Sequence, residues 1–382
     1  MEQVASPSTS SLNQRPRYER SLESALSRNR TCLLVGVPGV GKTYTVNSIA
    51  QKRGWRVFTL LASLRDPVDF MGLPMRDENG MVYAAPAWAK KASSSDEPVV
   101  LFFDEIDKAP PVVQGACLRI ATERVVGDDV YLGDNTRIVF AANPAEFGGF
   151  DIVDPLVSRV RRIWWDPSPS DMAQAIASAT IELAQKLETE GVSVERANRY
   201  GGIISAFVTR PGTPIGPPKN RAARQDVWAS PRSLTECAVS LAAIPEDDML
   251  LRNDIIIQEI GVAAGTELIT FMDNFDLPDP EDVLAGLATI NVNDRLDRVA
   301  ASLTALVGAV AYNCTIDRWA QCVKVLDTVA ATAPDMVVSV LMRAIEIVKD
   351  PKNNLSTQDW YPALADSHLD NLGNLLHMTG AV

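Results

Sequence analysis

Eight consecutive residues, Gly36-Val37-Pro38-Gly39-Val40-Gly41-Lys42-Thr43, set three glycines beside a lysine and a hydroxyl. Without a Cβ, glycines let successive backbone N–H groups turn toward one point, which suits an anion. The apolar run Cys32–Val35 before them reads as a buried strand, and Tyr44–Ala50 after them reads as the first turns of a helix. Strand, glycine loop and helix together form a phosphate cradle, to which the helix N-terminus adds partial positive charge. Lys42 is then placed for the β- and γ-phosphates of a nucleotide, and the Thr43 hydroxyl for Mg²⁺.

A second group stands at Asp104-Glu105, which follow the apolar residues Val99–Phe103. Five apolar residues ending in two acids read as a central parallel strand whose carboxyl end faces a ligand crevice. There Asp104 is suited to hold Mg²⁺ and Glu105 to polarise an attacking water. Asn143 ends another buried strand, Thr136–Ala142. If that strand neighbours the Asp104 strand, Asn143 is placed to orient the same water. Arg159, Arg161 and Arg162 crowd one turn. They read either as a basic patch or as an arginine offered to a neighbouring subunit's γ-phosphate. Arg232 sits in the first turn of a helix capped by Ser230 and opened by Pro231. A cation there opposes the helix dipole, so Arg232 faces either solvent or an anion.

The elements that must position these groups follow the chain. Residues 1–14 are Ser-rich and read as a disordered tail, and residues 15–30 as a leading helix. Gly54–Leu61 reads as a strand. Asp66–Pro74 reads as a loop with Phe70 and Met71 exposed, and Met81–Lys91 as a short strand entering a helix. Ala109–Glu123 is expected to be helical and Arg124–Leu132 to be a hairpin around Gly-Asp-Asp. Helical patterns span Asp171–Gly191, Ser230–Ala243 and most of 246–382, with a Pro/Gly/Lys/Arg-rich loop at 209–224.

Among 382 residues the net charge is −12, and its distribution is uneven. Residues 246–382 carry 8 Lys/Arg and 21 Asp/Glu, leaving 28 and 27 for residues 1–245. So acidic a rear repels a nucleic-acid backbone, and nucleic acid is an unlikely partner. The five cysteines are scattered, with no C-x-x-C, which suggests a reducing, cytoplasmic setting. Cys314 and Cys322, eight apart, read as buried helix residues. The N-terminus lacks the apolar core of a signal peptide, and no run of about 18 apolar residues predicts a membrane span. The histidines are His368 and His377, so His-based acid–base chemistry is excluded from the first 367 residues and a zinc site is not expected.

In this order the motifs resemble those of the AAA+ ATPases, and most closely the MoxR-like branch. The resemblance spans roughly residues 15–245. It implies Walker A at Gly36–Thr43, with Gly36, Val37, Pro38, Gly39, Val40, Gly41, Lys42, Thr43 and Tyr44 around ATP, and Walker B at Leu101–Glu105 with Mg²⁺ on Thr43 and Asp104. It implies sensor 1 at Asn143, a trans arginine finger at Arg159 with Arg161 second, and sensor 2 at Arg232. The loop at 66–74 and the hairpin at 124–132 match insertions that lie near the central pore in that branch. Val160 departs from the Arg-Phe pair common at the finger.

The expected fold is an α/β P-loop AAA+ core with a parallel sheet sandwiched by helices over residues 15–166. A helical lid at 167–245 and an acidic all-α extension at 246–382 are expected to follow. The expected activity is ATP hydrolysis in a homo-oligomeric ring, a hexamer, that remodels or activates a client or adaptor protein. The extension loosely resembles tails found beside von Willebrand A-type or metallopeptidase-like partners. Three alternatives compete: a nucleic-acid motor with a nuclease partner, a monomeric P-loop kinase, and a nucleotide-gated scaffold.

Overall fold

The computed structural model describes residues 15–78, 80–220, 222–273, 277–292, 295–353, 355–364 and 372. The expected tail and both histidines lie outside them. The chain divides into two units, 13–166 and 167–382.

The first unit is built on a five-stranded parallel sheet. Its strands are β1 (Cys32–Val35), β2 (Arg56–Leu61), β5 (Val99–Asp104), β8 (Thr136–Ala142) and β9 (Arg161–Trp164), in the order β2-β5-β8-β1-β9. The central strands are apolar on both faces because helices cover both faces. Leu101, Phe103, Ile138 and Phe140 pack toward the Pro111–Glu123 helix, through Val113, Cys117 and Ile120. Val100, Phe102, Val139 and Ala141 point the other way, toward Leu22 and Leu26 of the Arg17–Ser27 helix and Val46 and Ile49 of the Lys42–Lys52 helix. The strand period of two thus fills two cores from one strand.

The segment 66–74 departs from the expectation of a loop. Val68–Met71 forms one helical turn, and β3 (Leu73–Asp77) pairs antiparallel with β4 (Gly80–Ala84). Phe70 is not exposed: at 1% exposure it packs on Phe103, with ring centroids 5.7 Å apart, and on Trp88 at 6.4 Å. Burying an aromatic ring outweighs the loop-forming composition around it. Met71 is exposed as expected.

The hairpin at 124–132 forms as β6 (Val125–Val126) and β7 (Val130–Tyr131). Its tip is bonded to the other hairpin. Asp128 Oδ2 accepts from the Tyr83 N–H at 2.8 Å, the Asp128 N–H donates to Tyr83 O at 2.9 Å, and Asp129 Oδ1 accepts from the Ala85 N–H at 3.2 Å. The two ribbons are one piece.

The second unit is helical. Its first helices are Pro169–Leu187, Val194–Thr209 and Pro231–Ala243, the last capped by Ser230, whose Oγ accepts from the Ser233 N–H at 3.2 Å. The Val194–Thr209 helix packs against both of these neighbours and against Leu296–Tyr312. At that second crossing Asn198 Nδ2 donates to Ala305 O at 2.9 Å. A Cβ on Gly308 would lie 1.8 Å from Asn198 Oδ1. Gly308→Val is therefore expected to lower stability by about 1–3 kcal/mol, read as a drop in thermal midpoint.

Among the described residues, Met249–Asp273 is long and apolar enough by composition to cross a membrane. It is not one continuous helix. The backbone leaves helical geometry at Gly261, with φ 80°, and the Arg252 guanidinium meets Asp273 Oδ1 at 2.6 Å. A straight helix would hold those residues about 31 Å apart, so the two limbs double back as a hairpin. The later helices, Leu296–Tyr312, Ile316–Ala330 and Pro334–Lys349, share a core around Trp319. Cys322 is buried there, but Cys314 precedes its helix and is half-buried. Burial pushes the Cys32, Cys117 and Cys322 thiols up to about 12.

Candidate nucleotide site

The carboxyl ends of β1, β5 and β8 converge because the parallel register aligns them. Val35 pairs with Ala142, and Phe103 with Phe140. Gly36 and Asn143 are thus the first residues beyond adjacent strand ends, and β8, which Asn143 follows, also pairs with β5, which ends at Asp104. The glycines of the loop play different parts. Gly39 and Gly41 have φ of 81° and 90°, which only glycine adopts without strain. Gly36 is needed for another reason: a Cβ there would lie 2.5 Å from Trp165 O. It lets the chain leaving β1 pass close to the residue after β9. Val37, Pro38 and Val40 are half-buried around the loop, and Tyr44 is half-buried in the helix that follows.

Lys42 is buried and turned into the loop. Its Nζ donates to Gly36 O at 2.6 Å, Val37 O at 3.2 Å and Asn143 Oδ1 at 3.1 Å. Thr43 Oγ1 donates to Asp104 Oδ2 at 2.8 Å, while Asp104 Oδ1 accepts from the Glu105 N–H at 2.9 Å. One hydroxyl and one carboxylate at that spacing fit Mg²⁺, which takes oxygen ligands and draws the rest of its shell from phosphates and water. Among the described residues, no group of three or more His, Cys, Asp or Glu side chains that could hold a metal occurs. Glu105 adopts the left-handed conformation, φ 56° and ψ 38°, where a non-glycine residue carries strain.

Three participants have no signature in the sequence. Ser63, just beyond β2, donates its Oγ to Glu105 Oε2 at 2.6 Å. Asp107, on the turn after Glu105, is 3% exposed and accepts from the Asn143 N–H at 3.0 Å. Lys108 donates to Phe147 O at 3.0 Å and also to Gly148 O.

The arginines are placed differently. Arg159 is exposed and folds back on its own turn, Nη1 to Pro155 O at 2.9 Å. Arg161 opens β9 opposite Cys32, at the amino end of the sheet, and reaches Ser21 O and Ser24 Oγ at 3.4 Å. Arg162 stacks on Trp164, 4.2 Å from the ring centroid. Arg232 is exposed on the first turn of the Pro231–Ala243 helix, in the other unit.

The family model described as "AAA domain (dynein-related subfamily)" matches residues 31–160. The matched stretch has an AAA+ P-loop fold. Its limits enclose every site residue above except Arg232 and the two arginines after Val160. The MoxR-like branch is not the one matched. Among solved structures, the Thermotoga maritima RuvB P216G mutant is similar over 76% of this chain and 84% of that one, at 16% identity and a TM-score of 0.36. The Thermotoga maritima RuvB Holliday junction branch migration motor is similar over 78% and 82%, at 15% identity and a TM-score of 0.34. No curated protein gives a match.

Proposed function

We propose that this chain hydrolyses ATP with Mg²⁺ in a homo-oligomeric ring, a hexamer, and spends the cycle on remodelling or activating a partner protein, as MoxR-like proteins do. The observation that carries the chemistry is the Thr43–Asp104 bond beside Lys42, with Glu105 next in the chain. Bound Mg²⁺ would supply charge for the developing phosphate negative charge. The protein's part is to grip the phosphates with the Gly39–Thr43 amides and Lys42 and to hold a water with Glu105 and Asn143. ATP rather than another nucleotide follows from the AAA domain.

Assembly is supported by the exposed turn that carries Arg159, whose guanidinium lies on its own turn at Pro155 O and outside the strand pairing that holds Arg161. A head-to-tail contact that lends this arginine closes into a ring. The MoxR-like reading is supported by the two bonded hairpins, one following β2 and one preceding β8. They expose Leu73, Met75, Met81, Tyr83 and Tyr131, apolar surface suited to a polypeptide. Arg232 is assigned to the nucleotide as sensor 2, and the unpaired thiols suit a cytoplasmic setting.

Sedimentation with ATP and with ADP, alongside phosphate release, tests this reading. ATP-dependent assembly with turnover is expected; a monomer that passes phosphate to a small molecule would replace it with a kinase. Ser63→Ala tests the parking of Glu105. Freed of its partner, Glu105 is expected to raise basal turnover about two- to fivefold, since the bond is charge-assisted but solvent-exposed.

A further inference from the structure

We propose that Asp107 is a positioning residue that fixes the polarity of the Asn143 carboxamide, so that Asn143 offers the nucleotide site an acceptor oxygen and not a donor. This rests on the ATPase reading above and adds to it the residue that holds Asn143 to its task.

The polarity follows from the partners. Lys42 is donor-only, and its Nζ lies 3.1 Å from Asn143, so the atom facing it must be the oxygen. The carboxylate of Asp107 accepts, and its Oδ2 lies 3.4 Å from the other carboxamide atom, which must be the nitrogen. Asp107 Oδ1 meanwhile accepts from the Asn143 main-chain N–H at 3.0 Å, so one carboxylate holds both the backbone and the side chain of the same residue. The carboxylate is itself held. It is 3% exposed, Lys108 Nζ stands 3.6 Å from Oδ2, and its main-chain oxygen accepts from the Phe150 N–H at 2.6 Å. Flipping the amide would set oxygen against carboxylate and N–H₂ against ammonium.

A fixed acceptor is the wrong partner for a phosphate oxygen and the right one for water. When Lys42 moves from the loop carbonyls to the phosphates, Asn143 Oδ1 is left facing the site. A water donating one proton to Asn143 and another to Glu105 turns its lone pair away from both. Asp107 therefore acts through Asn143 on the nucleophile.

The test is a double-mutant cycle in the full chain. Asp107→Leu, close in size but with no acceptor, is expected to lower kcat about 100-fold, with KM and fluorescent-ATP binding little changed. Asp107→Asn keeps an acceptor and is expected to recover most of that loss. In an Asn143→Ala background, Asp107→Leu is expected to cost little more, because the side chain it orients is gone. Equal losses in both backgrounds would make Asp107 merely structural and overturn the proposal. Should Asp107→Leu not fold, or should the unsubstituted chain not hydrolyse ATP, the nucleotide-free protein still answers. The Asn143 side-chain N–H₂ resonances are expected to be protected and to shift in Asp107→Asn; resonances indifferent to residue 107 would refute it. Inactivity of the unsubstituted chain would count against the ATPase reading alone.

Discussion

Glu105→Gln is expected to leave nucleotide binding intact and to lower turnover by about 10²–10⁴-fold, the span of a lost general base. Glutamine keeps the size and one acceptor, so the Ser63 partner and the turn after β5 persist. It loses the second acceptor oxygen and the basicity that an attacking water needs. The Asp104 carboxylate is untouched, and it is Asp104 that Thr43 contacts at 2.8 Å. Metal and phosphate grip are therefore separable from the proton step. The measurement is paired: fluorescent-nucleotide binding for affinity and phosphate release for rate. Weakened binding with a proportionate loss of rate would move Glu105 into the metal site and leave the base unassigned.

Arg159→Ala is expected to lower turnover by about 10³-fold, the lower range for a lost arginine finger. The decisive arm is mixing. A mixture of Arg159→Ala and Glu105→Gln chains contains junctions where an intact glutamate meets an intact arginine from the next subunit. Activity above either parent is expected, and its absence would remove the arginine from trans catalysis. Arg161→Ala is the control. Its guanidinium contacts the Arg17–Ser27 helix at the amino end of the sheet, so its loss is expected to touch stability more than rate.

The features legible in the sequence are those that local order dictates. Gly36–Thr43 needs only a strand before it and a helix after it, and Val99–Glu105 announces a buried strand by five apolar residues and its end by two acids. The Ser230 cap was equally readable, because a cap and its helix are neighbours in the chain. What stayed hidden depends on distance along the chain. Ser63 finds Glu105 across 42 positions, and Asp107 finds Asn143 across 36. Nothing in the residue types marks either pair. Phe70 is hidden for a related reason: Pro, Gly and Asp around it signal a turn, while its burial is decided by Phe103 and Trp88. Gly36 fits the phosphate-loop pattern in the sequence, yet the backbone of Trp165 is what demands it.

The Asn198–Gly308 crossing has a mechanical corollary. Val194–Thr209 is a shared spar, clamped to Pro231–Ala243 on one side and to Leu296–Tyr312 on the other, so helix packing bridges the connection near residue 245. A rotation of the Pro231–Ala243 helix is therefore expected to carry Leu296–Tyr312 with it, as through a lever arm and not a tether. Two spin labels, one on each side of that spar, should hold their separation throughout the nucleotide cycle.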